Sequence, residues 1–125
     1  MTIDELWRKD IVKENVLLEK ALAFGIRIMK LSEYLEEKKK FSMANQVLRS
    51  GTSISANISE SVYAASKPDF INKLQIARKE ANETKNWLNL LIGGNWIEKK
   101  IYDSLLADVE ELLRILGASV KTARQ

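Results

Sequence analysis

Glu80 and Glu83 stand three residues apart, a spacing that puts two carboxylates on one face of a helix. In a small helical bundle such a pair is half of a di-metal site, whose other ligands come from Glu-x-x-His repeats. The imidazoles are missing here, because the chain has no His, and it has no Cys either. The common general base, the thiol nucleophile and the imidazole ligand are therefore all absent. Serines and lysines occur, but in neither Gly-x-Ser-x-Gly nor Ser-x-x-Lys spacing. Gly93-Gly94 leads into Asn95-Trp96 instead of the Lys-Ser/Thr of a phosphate-binding loop. We expect no enzyme, no metal and no cofactor.

Paired helices give the two carboxylates another use. If the chain folds back through a turn near residue 65, opposed positions sum to about 130. Arg49 then lies level with residue 81, within reach of Glu80 and Glu83, while Ser53 falls beside Ala77 and Asn57 beside Lys73. Arg with one or two carboxylates makes charge-assisted, bidentate bonds. The expectation is a buried polar clamp fixing helix register, made by Arg49, Asn57, Glu60, Glu80 and Glu83. A ligand site built on the same residues is the competing reading.

The clamp's arginine belongs to Leu48–Glu60, Leu-Arg-Ser-Gly-Thr-Ser-Ile-Ser-Ala-Asn-Ile-Ser-Glu, around which the chain is organised. Ser, Thr, Gly and Asn are mediocre to poor helix formers, so a helix here needs tertiary contact. Small residues let a neighbouring backbone come close, and their hydroxyls can bond locally. A Ser/Gly-rich linker has similar composition, but Ile54 and Ile58 keep helical spacing and helical segments lie on both sides.

Those segments show alternating four- and three-residue steps. They are Leu17, Ala21, Phe24, Ile28, Leu31, Leu35; Ala44, Leu48, Gly51, Ser55, Ile58, Val62, with Val47 and Ile54 one residue over; Phe70, Leu74, Ala77, Ala81, Thr84, Leu88, Leu91; and Ile101, Leu105, Val109, Leu112, Leu116, Val120. Ser66 with Pro68 and Asp69 suits a helix start, and Gly93-Gly94-Asn95 a helix end. Helices are expected at about residues 13–37, 42–62, 67–92 and 98–122 of one 1–125 domain. Residues 1–12 form an arm docked by Trp7, or a frayed terminus. Short loops make the fold an all-α, antiparallel up-and-down four-helix bundle.

Of 125 residues, 46% are hydrophobic and 30% charged, ordinary values for one globular domain. The net charge of +3 is too small to identify a nucleic-acid binder by itself. Its distribution offers candidates: the run Lys38, Lys39, Lys40, then Lys99, Lys100, Lys121 and Arg124, each of which also reads as a solvated surface charge. No apolar run reaches membrane length and no signal pattern opens the chain, so a cytoplasmic protein without a membrane partner is expected.

Ile71, Ile76, Trp87, Leu90, Ile92, Trp96 and Tyr102 lie outside or beside the four seams. A second apolar face usually marks a contact surface, and Ile76, Trp87, Leu90 and Trp96 are the candidate oligomer interface, centred on Trp87. A wider bundle stripe would absorb the same residues into the core.

Arg49-Ser50-Gly51-Thr52-Ser53-Ile54-Ser55-Ala56-Asn57-Ile58-Ser59-Glu60 resembles the signature of the bacterial four-helix-bundle family named for the 23S rRNA intervening sequence. Residues 66–74 and 77–88 resemble that family's third helix, and residues 24–35 match its first more loosely. Where the family often has Ala and then Gly or Ala around the motif's Glu, this chain has Ser59 and Ser61, which keep the side chains small. The resemblance spans roughly residues 13–122. It implies a four-helix bundle closed into a homopentamer, and it includes an accessory protein of diversity-generating retroelements that binds nucleic acid and a reverse transcriptase. The resulting expectation is a non-enzymatic homo-oligomer that binds RNA or DNA without sequence preference. The alternative is a protein-binding scaffold or accessory subunit for a partner encoded nearby.

Overall fold

The computed structural model describes residues 3–125, with side chains described from Val16 onward. The chain forms α1 (Ile3–Glu37), α2 (Phe41–Val62), α3 (Lys67–Gly93) and α4 (Lys99–Arg124). Consecutive helices pack as antiparallel neighbours, and α4 closes the ring against α1. This is the expected up-and-down four-helix bundle, and no strand occurs among the described residues.

The core is a single apolar cluster drawn from all four helices. Every seam residue expected on α1 and α3 is buried. On α4, Leu105 to Val120 are buried as expected, while Ile101 is exposed at the helix start and Ile97, just before it, takes the inward place. The seam of α2 holds at Ala44, Gly51 and Ile58 and shifts by one residue at its other three places, to Val47, Ile54 and Ser61. Ala44, Val47, Ser50, Gly51, Ile54, Ile58 and Ser61 are buried, whereas Leu48, Ser55 and Val62 are only half-buried. The β-branched Val47 and Ile54 have more apolar surface to hide than a serine, and their face turns inward.

The small-residue stretch is helical throughout, and most of its hydroxyls, with that of Ser61 just beyond it, bond to carbonyls of their own helix. Thr52 donates to the Leu48 carbonyl at 2.7 Å, Ser53 to Arg49 at 2.6 Å and Ser61 to Ile58 at 2.6 Å. Two further hydroxyls bond between helices. Buried Ser32 on α1 donates to the Ala44 carbonyl at 2.9 Å, and Thr84 on α3 donates to Ser50 Oγ on α2 at 2.9 Å. These bonds remove the desolvation cost of hydroxyls at the helix contacts.

Helix boundaries agree with the sequence reading to within two residues except at the start. Instead of a separate arm over 1–12, α1 is continuous from Ile3, since neither Pro nor Gly stands between Ile3 and Lys13 to stop it. The docking expected of Trp7 lies outside the described side chains. Ser66 caps α3, its Oγ accepting from the Asp69 N–H at 3.3 Å, with Pro68 in the first turn.

Candidate functional site

Topology brings the α1–α2 and α3–α4 turns to one end of the bundle and leaves the α2–α3 turn and the C-terminus of α4 at the other. Both turns at the first end are closed alike. Lys40 N–H donates to the Leu35 carbonyl at 2.8 Å and Lys39 N–H to Glu36 at 2.8 Å; Trp96 N–H donates to Leu91 at 2.9 Å and Asn95 N–H to Ile92 at 3.1 Å. Each pair is a Schellman closure, which needs a left-handed residue just beyond the helix. Lys39 (φ 61°) and Asn95 (φ 60°) fill those places. The C-terminal signal at Gly93-Gly94-Asn95 is thus correct, but Asn95 adopts the left-handed conformation and neither glycine does.

Five of the seven candidate basic residues, Lys38, Lys39, Lys40, Lys99 and Lys100, therefore share one end. Lys121 and Arg124 lie in the last turn of α4 at the opposite end, so the seven do not form one patch. Three aromatic residues accompany the five lysines. Lys40 Nζ sits 4.2 Å from the centre of the Trp96 ring and Lys38 Nζ 5.7 Å from that of Tyr34, both within cation–π range. Phe41, the first residue of α2, is 62% exposed. The acids here are Glu36, Glu37, Glu98 and Asp103; Asp103 pairs with Lys99 at 2.7 Å, which pushes the lysine's pKa up through the hydrogen bond and charge of that carboxylate. Neither Lys40 nor Glu98, the residues preceding α2 and α4, caps its helix with a side chain.

Below this end, between α1 and the start of α4, lies a cavity of about 420 Å³. Leu31, Ile97 and Leu105 are its buried apolar lining, and Arg27, Lys30 and Tyr34 its polar rim. Arg27 is already engaged across the helix contact, donating to Asp108 at 2.5 Å and Ser104 at 2.8 Å.

The clamp forms only in part. Arg49 pairs with Glu83 and lies 3.8 Å from Glu80, joining α2 to α3 as expected. Arg49 is not buried, however: its side chain is 52% exposed. Asn57 and Glu60 do not join it. Asn57 donates to the carbonyl of Ser53 on its own helix at 2.8 Å, and Glu60 pairs with Lys73 at 3.2 Å. Eight and eleven residues carry Asn57 and Glu60 about 12 and 16 Å along the α2 axis, beyond the reach of one guanidinium. Burial, then the neighbouring Glu83 carboxylate, raise the pKa of Glu80 above the usual carboxylate range, against the lowering pull of Arg49. Its Oε2 is buried with no hydrogen-bond partner. No ligand cluster accompanies it: among the described residues no three His, Cys, Asp or Glu side chains are grouped to hold a metal.

The interface candidates separate as well. Trp87 is half-buried and packs on its own bundle's core, with its Nε1 buried and without a hydrogen-bond partner. Ile71, Ile92 and Tyr102 pack there too. Ile76 is half-buried, while Leu90 and Trp96 are exposed. The sequence reading missed a different apolar face. Leu22, Ile26 and Met29, each about half exposed, follow one another at i, i+4, i+7 on the solvent side of α1. That spacing is legible in the sequence, one step from the core seam. Phe41 and Tyr34 were also missed, although Phe41 follows Lys40 directly and Tyr34 stands four residues before Lys38.

Among the described residues, no helix is long and apolar enough to cross a membrane. The model of the 23S rRNA-intervening sequence protein family matches residues 13–118. In structure the chain is similar to a protein of unknown function from the S23 ribosomal protein family of Bacteroides thetaiotaomicron. The two are 48% identical and superpose with a TM-score of 0.84 over 87% of this chain and 98% of the other. No curated protein matches the chain.

Proposed function

The chain belongs to the 23S rRNA-intervening sequence protein family, and from that premise we propose that it is a non-enzymatic, cytoplasmic oligomer that binds RNA or DNA through its basic end. The observation that carries this reading is the gathering of Lys38, Lys39, Lys40, Lys99 and Lys100 at one end by two turns 50 residues or more apart in the chain. Lysines act on phosphates as point charges, and uncapped helix N-termini add N–H donors beside them. A net of +3 per chain is small, and oligomerisation multiplies it into a field that attracts a polyanion. Five-fold closure is the symmetry that the family resemblance implies.

Filter binding to single- and double-stranded RNA and DNA across a salt series tests the reading. Affinity should fall linearly with salt on a log–log plot, by roughly 0.7–0.9 in slope for each phosphate contact. Absence of binding to every nucleic acid at low salt would overturn it.

The second reading, a scaffold or accessory subunit for a protein encoded nearby, is favoured by the exposed stripe of Leu22, Ile26 and Met29, since exposed apolar patches mark protein contacts. Gene neighbourhood separates the two. A ribosomal RNA locus or a reverse transcriptase beside the gene favours nucleic-acid binding.

A further inference from the structure

We infer that the basic end takes single-stranded nucleic acid, with Phe41 and Trp96 as stacking platforms for its bases and the turn lysines as phosphate contacts; this rests on the nucleic-acid reading above and specifies its ligand. Charge alone selects poorly here. The five lysines face Glu36, Glu37, Glu98 and Asp103, and Lys99 already spends its charge on Asp103. The surplus that remains is slight for a surface working only through phosphates, whose affinity comes from the number of contacts neutralised.

What this end has in addition is aromatic surface. Phe41 (62% exposed), Trp96 (40%) and Tyr34 (40%) are three of the four exposed aromatic residues among the described ones, and the fourth, Tyr63, lies at the opposite end. A phenyl ring at the first position of α2 covers none of the core. Lys40 links two of the rings: it precedes Phe41 in the chain and its ammonium lies against the Trp96 indole. Two lysines lie on exposed rings, Lys38 on Tyr34 and Lys40 on Trp96, with Phe41 exposed next to Lys40; cations and rings side by side match the alternation of phosphate and base along a single strand. In a duplex the base faces are stacked on one another and unavailable, so rings can discriminate between the two forms. The turn conformation is consistent with such a use. Lys39 occupies a left-handed position that glycine fills at no steric cost, and it keeps a cation at the tip of the turn.

Anisotropy titrations at low salt compare a labelled uridine 15-mer, a thymidine 15-mer, a duplex of equal length and an abasic 15-mer. The single strands should bind at least tenfold more tightly than the duplex or the abasic strand. Phe41→Ala should weaken single-strand binding roughly five- to hundredfold, the range for one lost stacking contact, and leave duplex binding and the salt slope unchanged. Lys39→Gln with Lys100→Gln should instead flatten the salt slope for both forms. Trp emission should be quenched on binding, and the quenching should diminish in Trp96→Phe. Circular dichroism melts establish that the variants are folded. Equal binding of all four ligands, insensitive to Phe41→Ala, overturns the stacking role and leaves the nucleic-acid reading standing. Displacement by polyglutamate as effective as by unlabelled oligonucleotide also overturns it, and assigns the surface to an acidic protein. No binding to any oligonucleotide removes both readings together.

Discussion

Gly51 on α2 faces Ile28 on α1 so closely that a Cβ added to the glycine would stand 2.7 Å from Ile28 Cγ2 and 2.9 Å from Cγ1. Ile28 is fully buried at this point, where the small-residue stretch meets the core seam of α1. Replacing Gly51 by Ala gains about 1 kcal/mol of helix propensity and incurs about 1–3 kcal/mol of overpacking. The expected outcome is a net loss of up to about 2 kcal/mol in urea denaturation. Ile28→Ala alone should cost about 2–5 kcal/mol. The double variant should lose less than the two separate losses together, because the new methyl fills part of the space opened. A stabilised Gly51→Ala protein would show that the helices are not in contact there.

The Arg49, Glu80 and Glu83 group makes a prediction about pH. Arg49→Ala should cost no more than about 1 kcal/mol, since the side chain is half exposed and its pairs are screened. A buried clamp would have lost several times as much. Glu80 is more informative, because burial and Glu83 raise its folded pKa above its ordinary value of 4.5. The folded state then holds the proton more tightly than the unfolded chain. The resulting stability is fully present below pH 4.5 and is lost as pH rises through the folded pKa. Glu80→Gln should therefore raise the melting temperature at neutral pH, with the gain shrinking toward zero below pH 4.5. An equal gain at pH 3.5 and pH 7 would refute the desolvated carboxylate.

Sequence periodicity located α1, α3 and most of α4 residue by residue, because large and polar side chains alternate sharply there. On α2 it placed Ala44, Gly51 and Ile58 and missed by one residue at Leu48, Ser55 and Val62, because Ser50, Gly51 and Ser55 give almost no contrast in hydrophobicity. The Arg49–Glu83 pair was legible from antiparallel register alone. The fate of Asn57 was not, since an amide can satisfy itself on the carbonyl one turn back. The packing of Trp87 on its own bundle was not legible, because an indole on the flank of a helix is long enough to reach the core. The aromatic and basic end depended on two left-handed residues, and neither Lys39 nor Asn95 announces that conformation as a glycine would.

Lys39 gives a prediction that couples stability to binding. A non-glycine residue in the left-handed region costs roughly 1–2 kcal/mol, and glycine avoids that cost at the expense of some chain entropy. Lys39→Gly should stabilise the fold by about 0.5–1 kcal/mol in thermal or urea denaturation, while weakening oligonucleotide binding through the lost cation. The two changes have opposite signs, so a single damaged variant cannot imitate them. A destabilised Lys39→Gly protein would mean that the lysine side chain makes a contact worth more than the backbone strain.

The last prediction concerns assembly. Trp87, Ile92 and Tyr102 are half-buried against the bundle's own core, so that Leu90 and Trp96 are the exposed candidates of that face. The stripe of Leu22, Ile26 and Met29 on α1 is a better contact surface, continuous along two helical turns and about half exposed at each residue. Light scattering at micromolar concentration should give several times the 14.3 kDa chain mass. Ile26→Glu combined with Met29→Glu should reduce that mass to one chain, since a carboxylate at the centre of an apolar contact must be desolvated without a partner. Helicity should be unchanged, because both side chains point away from the bundle core. Leu90→Glu should leave the mass as it was. A native protein that runs as a monomer would remove the oligomer from the proposed function. An oligomer dispersed by Leu90→Glu but not by the α1 pair would move the contact to the α3 face. If the α1 pair disperses it, the same variant tests whether assembly multiplies charge: the monomer should bind oligonucleotide more weakly and with a shallower salt slope than the native oligomer.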